Sequence, residues 1–301
     1  MFKKILLIFL LLLIMGCEQK DNSTYAPIYS NSNKISKTTY ILGIHPLHNP
    51  KRLFEVYQPL VDLINSKLDN VELKLEASRN YAAYDEKLFS GYFDFSLPNP
   101  YQTVKSLDHG YKVFGKMGDD KSFRGIILVR KDSGIKEISD LKGKVVSYPA
   151  PTALAATMMP QWYMYKHGID ISKDITNNYV GSQESSIMNV YLKKSDAAST
   201  WPPPWRAFIK ERPEIAKEVE VKWTTEFLPN NGLVVKKDIP DKLLKEISDI
   251  FFNLHKTKIG LEILKPMELS KFEKADEATY KNVKEFLINF EKEVGNIRDE
   301  R

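Results

Sequence analysis

Twice along this chain a short apolar strand is followed by an amphipathic helix and then by another strand, and that alternation leaves few folds open. The first run begins with the strand Thr39–Ile44, which ends at His45. A helical period follows in Leu53, Tyr57, Leu60, Val61 and Ile64, and Val71–Glu76 alternates as a strand does. Asn80 and Tyr81 open another helix, and Phe93–Leu97 reads as a strand closed by Pro98, Asn99, Pro100 and Tyr101. A helix to about Leu107 and strands at Lys112–Phe114 and Gly125–Val129 complete the run. The second run starts near Lys136 with a short helix and turn to Gly143, then the strand Lys144–Tyr148 and a helix ending at His167. Tyr179–Glu184 leads into a helix over Ser185–Lys194, Ser195–Thr200 returns as a strand of small residues, and Val219–Trp223 is another strand. The strand Asn231–Lys236 and three patterned helices (Pro240–Leu254, Thr257–Leu264, Glu277–Val294) close the chain.

This pattern predicts two α/β lobes built on parallel sheets, one lobe inserted within the other. Lobe 1 is expected over residues 39–128 and 232–301 and lobe 2 over 129–231, joined by two crossing strands near Ile127–Lys131 and Pro229–Val235.

The N-terminus carries a different signal. Lys3 and Lys4 precede an unbroken apolar run from Ile5 to Met15, too short to span a ~30 Å hydrocarbon core and shaped like a signal peptide. Ile14, Met15, Gly16 and Cys17 resemble the bacterial lipobox. Cys17 is also the only cysteine, so it has no internal disulfide partner and is expected to carry lipid. Residues 1–16 are thus expected to be a lipoprotein signal peptide, and residues 17–38, polar and poor in apolar anchors, a flexible tether. The mature protein would sit outside the cytoplasmic membrane, held there by acyl chains. With 44 basic against 39 acidic residues and no basic run interleaved with aromatics, a nucleic-acid partner is not expected.

Enzyme signatures are thin. The chain has no nucleophile elbow, P-loop, dinucleotide glycine fingerprint or metal-type His/Cys spacing. His45 and His48 are separated by a loop carrying a proline, so no metal site is expected. Neither a cofactor nor catalysis is expected. Polar and aromatic residues do gather just past the ends of the expected strands: His45, Tyr81, Asn99 with Tyr101, Thr152, Gln183 and Trp201. In open α/β sheets that edge is where ligands bind. The stretch Pro149–Pro160 stands out there, because Thr152 can cap a helix whose first backbone N–H groups form an anion cradle without any charged side chain. Thr152 would serve equally as a plain cap, and Pro160 either kinks a helix from Ala153 or starts one. Tyr81 also reads as a packed aromatic, Gln183 as a cap of its own helix, and Arg124 as an anion partner or a solvated cation. Trp201–Trp205, with its three prolines, reads as a rigid extended segment that walls a cleft or covers a sheet edge.

Taken together, several of these segments resemble the phosphonate/phosphite-type solute-binding proteins of ABC importers. The carriers are Gly43 and Ile44, Asn80–Ala83, Asp94 through Pro100, Lys131–Ile135 with Ile138–Gly143, and Gly181–Glu184 leading to Asp196. The resemblance covers about Tyr40–Phe272. It implies a bilobed α/β periplasmic-binding-protein fold of type 2, closing on a small oxyanion such as a phosphonate, phosphite or phosphate and delivering it to ABC permease subunits. It also implies that Tyr81 contacts ligand and that Thr152, Ala153, Leu154 and Ala155 supply oxyanion N–H groups. The family's hydroxyl-rich turn is here Pro-Thr-Ala-Leu-Ala-Ala, and Gln183 stands where a histidine is usual. The tryptophans would suit a larger or partly apolar ligand, so a sensing lipoprotein acting on a membrane histidine kinase is the alternative.

Overall fold

The computed structural model describes residues 37–295, so the expected signal peptide, Cys17 and nearly all of the tether lie outside the described residues. Its backbone forms two sheets. The first has the order β2 (Val71–Ala77), β1 (Thr38–Ile44), β3 (Phe95–Leu97), β10 (Gly232–Lys236), β4 (Tyr111–Met117), β11 (Phe272–Glu273). The second runs β7 (Ile175–Tyr179), β6 (Lys144–Tyr148), β8 (Ala197–Thr200), β5 (Arg124–Arg130), β9 (Val219–Phe227).

Both sheets are mixed rather than parallel. Strands β1, β2 and β3 run parallel, as do β6, β7 and β8, because helices carry the chain back between them. In contrast β10 lies antiparallel between β3 and β4, and β5 antiparallel between β8 and β9. These are the strands by which the chain enters one sheet from the other.

Those passages fall at Gly118–Phe123 and Leu228–Asn231. The first is earlier than the expected Ile127–Lys131, since β5 pairs with the second sheet from Arg124 against Phe227 to Arg130 against Val219. Side chains alternate along β5: Ile127 and Val129 enter one core, Ile126 and Leu128 the core on the other face. Such a strand is a fixed part of its lobe and a poor place for a hinge. The second passage lies just ahead of the strand expected there, and it is anchored on lobe 1: the Asn230 amide donates to Gly118 O at 2.7 Å and the Tyr280 hydroxyl to Asn230 O at 2.7 Å.

Asparagine and serine set four of the helix starts that follow the parallel strands, those after β1, β2, β3 and β7. Asn49 Oδ1 accepts from Arg52 N, Asn80 Oδ1 from Ala83 N and Ser182 Oγ from Ser185 N, each at or near 3 Å. Asn99 and Gln102 cap one another reciprocally. Each cap fixes how the chain leaves a strand end, and so where the next side chains point.

Candidate functional site

The C-terminal ends of β1, β2 and β3 meet those of β6, β7 and β8 across the seam between the sheets. There His45, Tyr81, Asn99, Phe123, Ala153 to Ala156, Gln183, Trp201 and Asn231 enclose a small cavity. Its atom-free volume, counting space open to solvent, is about 210 Å³, with room in this closed arrangement for about one water molecule. Of the residues expected from sequence, His45, Tyr81, Asn99, Ala153, Leu154, Ala155, Gln183 and Trp201 are brought together here.

Three others lie elsewhere. Thr152 is at the seam but does not cap the helix: its hydroxyl donates to Asp85 Oδ2 at 3.1 Å, and its carbonyl accepts from the Asn99 amide at 2.9 Å. A buried carboxylate needs such donors more than a helix start needs a cap. Tyr101 is half-buried against the first core with the Lys105 ammonium over its ring, and does not border the cavity. Arg124 is tied to the Lys121 carbonyl at 2.6 Å and lies over the Phe227 ring, so it does not reach the cavity either. Phe123, Ala156 and Asn231 were not foreseen; Phe123 and Asn231 come from the passages between lobes, where strand and helix periodicity says nothing.

The Pro149–Pro160 stretch forms a wide turn. Leu154–Met158 is a π-helix that runs on into the α-helix Met159–Lys166. Pro160 has no N–H and its ring would collide with the carbonyl four residues earlier; the widened turn relieves that clash. So the proline is both a distortion of the helix and part of its start. Thr157 N reaches Ala153 O at 2.8 Å, and the amides of Leu154, Ala155 and Ala156 come before this donor. Gly125 makes room for the turn: a Cβ there would stand 2.6 Å from Ala155 O and from the Pro160 ring.

Hydrogen bonding gives the cavity a polarity. His45 is 3% exposed, and its Nδ1 lies 2.8 Å from Leu97 O. Burial pushes its pKa down to about 4, outweighing the upward pull of that bond and aided by His48, so the ring is neutral at physiological pH. On the opposite lobe, Gln183 Oε1 accepts from the Thr200 hydroxyl at 2.7 Å and Nε2 faces the Tyr81 hydroxyl at 3.4 Å. Burial pushes the Tyr81 phenol well above the ordinary tyrosine range, so it is a neutral donor. Phe123 and Trp201, with ring centroids 5.5 Å apart, form the apolar wall. Trp201 belongs to no extended segment: Pro202–Glu211 is a helix, whose first positions tolerate prolines because their N–H groups would have no partner.

The seam continues outward as polar and charged contacts between lobes. His48 Nδ1 lies 3.4 Å from Glu184 Oε1, Arg52 pairs with Glu211, and Arg206 Nε lies 3.2 Å from Glu268. Burial would push the Glu184 carboxyl up, but the His48 ring and Arg52 more than offset this and hold it below its usual value. Among the described residues no group of three His, Cys, Asp or Glu side chains is placed to hold a metal ion.

Comparison with known proteins places the geometry in context. Residues 42–280 match the family model described as ABC transporter, phosphonate, periplasmic substrate-binding protein. A probable ABC transporter phosphite binding protein, PhnD1, of Prochlorococcus marinus (strain MIT 9301) is 24% identical over 58% of this chain and 63% of its own length. The phosphonates-binding periplasmic protein of Escherichia coli (strain K12) is 24% identical over 44% of this chain and 40% of its own. The chain therefore spans less than two thirds of the length of either curated relative. The structure of PhnD1 in complex with methylphosphonate superposes with a TM-score of 0.77 at 21% identity, covering 84% of this chain and 98% of that one. A binding component of an ABC phosphonate transporter from Pseudomonas aeruginosa gives 0.77 at 17% identity, covering 85% and 87%. These likenesses establish the bilobed α/β fold.

Proposed function

This chain belongs to the periplasmic phosphonate-binding proteins of ABC transporters, and from that premise we propose that it captures a small oxyanion between its lobes for import. The observation that carries this reading is the cavity itself. It is bounded by neutral donors and amides on one side and by the Phe123 and Trp201 rings on the other. An oxyanion with a small apolar substituent, such as methylphosphonate, matches both walls, and phosphite or phosphate matches the polar one.

The residues have distinct parts in this reading. Tyr81 donates to a ligand oxygen, the amides of Leu154, Ala155 and Ala156 face its negatively charged oxygens, and the two rings exclude water from the substituent. Because lobe 1 supplies His45, Tyr81 and Asn99 while lobe 2 supplies the turn, Gln183 and Trp201, a ligand touching both favours the closed arrangement. The passages at Gly118–Phe123 and Leu228–Asn231 are the hinge. The role proposed for these residues is binding. The closed state would be read by ABC permease subunits, with the protein held to the membrane outside the cytoplasm through lipid on Cys17, a reading carried by the sequence alone. The narrowness of the cavity favours this over sensing of a larger, partly apolar ligand.

Titration of the purified protein with methylphosphonate, phosphite and phosphate, read by calorimetry and by Trp201-dependent fluorescence, tests the proposal. A ligand present at a hundredfold over its Kd raises stability by about 2.7 kcal/mol. If none of the three changes heat, fluorescence or melting temperature, the oxyanion reading is wrong. Cys17→Ser should release the protein from the membrane fraction; retention there would remove the lipid anchor from the proposal.

A further inference from the structure

We propose that the cavity selects oxyanions bearing one proton, with His45 accepting that proton in a hydrogen bond and Tyr81 donating to an unprotonated oxygen. This rests on the oxyanion reading above and adds to it a rule for which anions, and which ionisation state, are held.

The argument starts from a carbonyl. Leu97 O can only accept, so the 2.8 Å contact requires the hydrogen of a neutral His45 ring to be on Nδ1. The nitrogen left for a ligand, Nε2, is then a lone pair. A second chain of hydrogen bonds sets the other side. The Thr200 hydroxyl donates to Gln183 Oε1 at 2.7 Å, which turns the Gln183 NH₂ toward the Tyr81 oxygen at 3.4 Å. With its oxygen accepting from Gln183, Tyr81 has its own proton to give. The cavity therefore presents several donors and two side-chain acceptors, the Nε2 lone pair and the unpartnered Asn231 Oδ1.

A sulfonate, or a phosphonate dianion, offers acceptors only, and would set an oxygen lone pair against the Nε2 lone pair. A singly protonated phosphonate or phosphite satisfies both sides at once. Charge points the same way. Among the described residues no Lys or Arg borders the cavity. The ionisable groups beside His45 are Tyr81 and Tyr84 on the helix Tyr81–Phe89 and His48 on its own loop, with Asp85 and Glu184 in turn near Tyr81. A second negative charge on the ligand would therefore be buried with no cation bordering the cavity to offset it.

The test compares methylphosphonate with methanesulfonate, which has nearly the same shape but no proton to give, by calorimetry from pH 5.5 to 8.5. Methylphosphonate affinity should fall about tenfold per pH unit above its second ionisation, as the protonated fraction does. Methanesulfonate should bind at least about tenfold more weakly at the acid end, since it leaves a buried acceptor unpaired. His45→Gln, whose amide can turn to donate or accept, should flatten the pH profile and narrow the gap between the two anions. Equal affinity for both anions, or a flat wild-type profile, overturns this inference while leaving the oxyanion reading intact. Failure of both anions to bind at any pH overturns the two together. The wild-type measurements alone decide, so the outcome does not depend on the variant folding.

Discussion

Asn99 and Thr152 stand on opposite lobes, and the Asn99 side-chain amide donates to the Thr152 carbonyl at 2.9 Å. The same Asn99 holds the start of the helix Pro100–Ser106 through its Oδ1, which accepts from Gln102 N at 3.1 Å. One residue thus ties a local helix start to the closure of the molecule.

Substitution separates those two roles. Asn99→Ala removes both and should cost about 1–2 kcal/mol of stability, the usual loss for a helix cap. Asn99→Asp keeps the cap oxygen but loses the donor and sets a carboxylate against the Thr152 carbonyl, so small-angle scattering should show a more open protein. If both variants denature alike and scatter as wild type, the contact does not hold the lobes.

Tyr81→Phe deletes one hydroxyl from a packed ring. If that hydroxyl donates to a bound oxyanion, affinity should fall by about 1.5–3 kcal/mol, roughly ten- to a hundredfold, while the ring keeps its place in the core. An unchanged Kd by calorimetry would remove Tyr81 from the site.

Gly125→Ala places a methyl 2.6 Å from Ala155 O and the Pro160 ring, where backbone and a rigid ring cannot yield. Overpacking of this kind costs about 1–3 kcal/mol, and it should also displace the amides of the π turn. The expected result is a lower melting temperature together with weaker ligand binding; a loss of one without the other would uncouple the turn from the site.

His45 makes stability depend on pH. Its folded pKa, about 4, lies below the ordinary 6.5, so the unfolded chain binds the extra proton first. Stability is therefore complete above pH 6.5 and lost progressively as pH falls toward 4, by up to about 3 kcal/mol from this group. Urea midpoints at pH 7 and pH 4.5 should differ less in His45→Gln than in wild type, and an equal difference would mean that other groups dominate.

A good deal of this was legible in the residues. The apolar period of the helix Pro50–Lys67, the alternation in Val71–Ala77 and the helix opening at Asn80 follow from local chemistry, and so does the grouping of polar side chains at strand ends. That is why eight of the expected residues do meet at one cavity. Local reasoning failed where a group had a distant competitor. Thr152 looked like a cap because the sequence does not reveal that Asp85, 67 positions away, faces its hydroxyl. The prolines after Trp201 suggested an extended segment, although at the first turn of a helix they cost nothing.

Periodicity and turn chemistry act over a few residues, so the sequence by itself determined the elements, their order and the edge at which a ligand would sit. The antiparallel insertion of β5 and β10, the position of the passages between the sheets and the exclusion of Arg124 and Tyr101 depended on which strands found each other across a hundred residues of chain. So did the hydrogen-bond direction at His45 and Tyr81, because a neutral imidazole or phenol has no fixed polarity until burial and a neighbour such as Leu97 or Gln183 assign one.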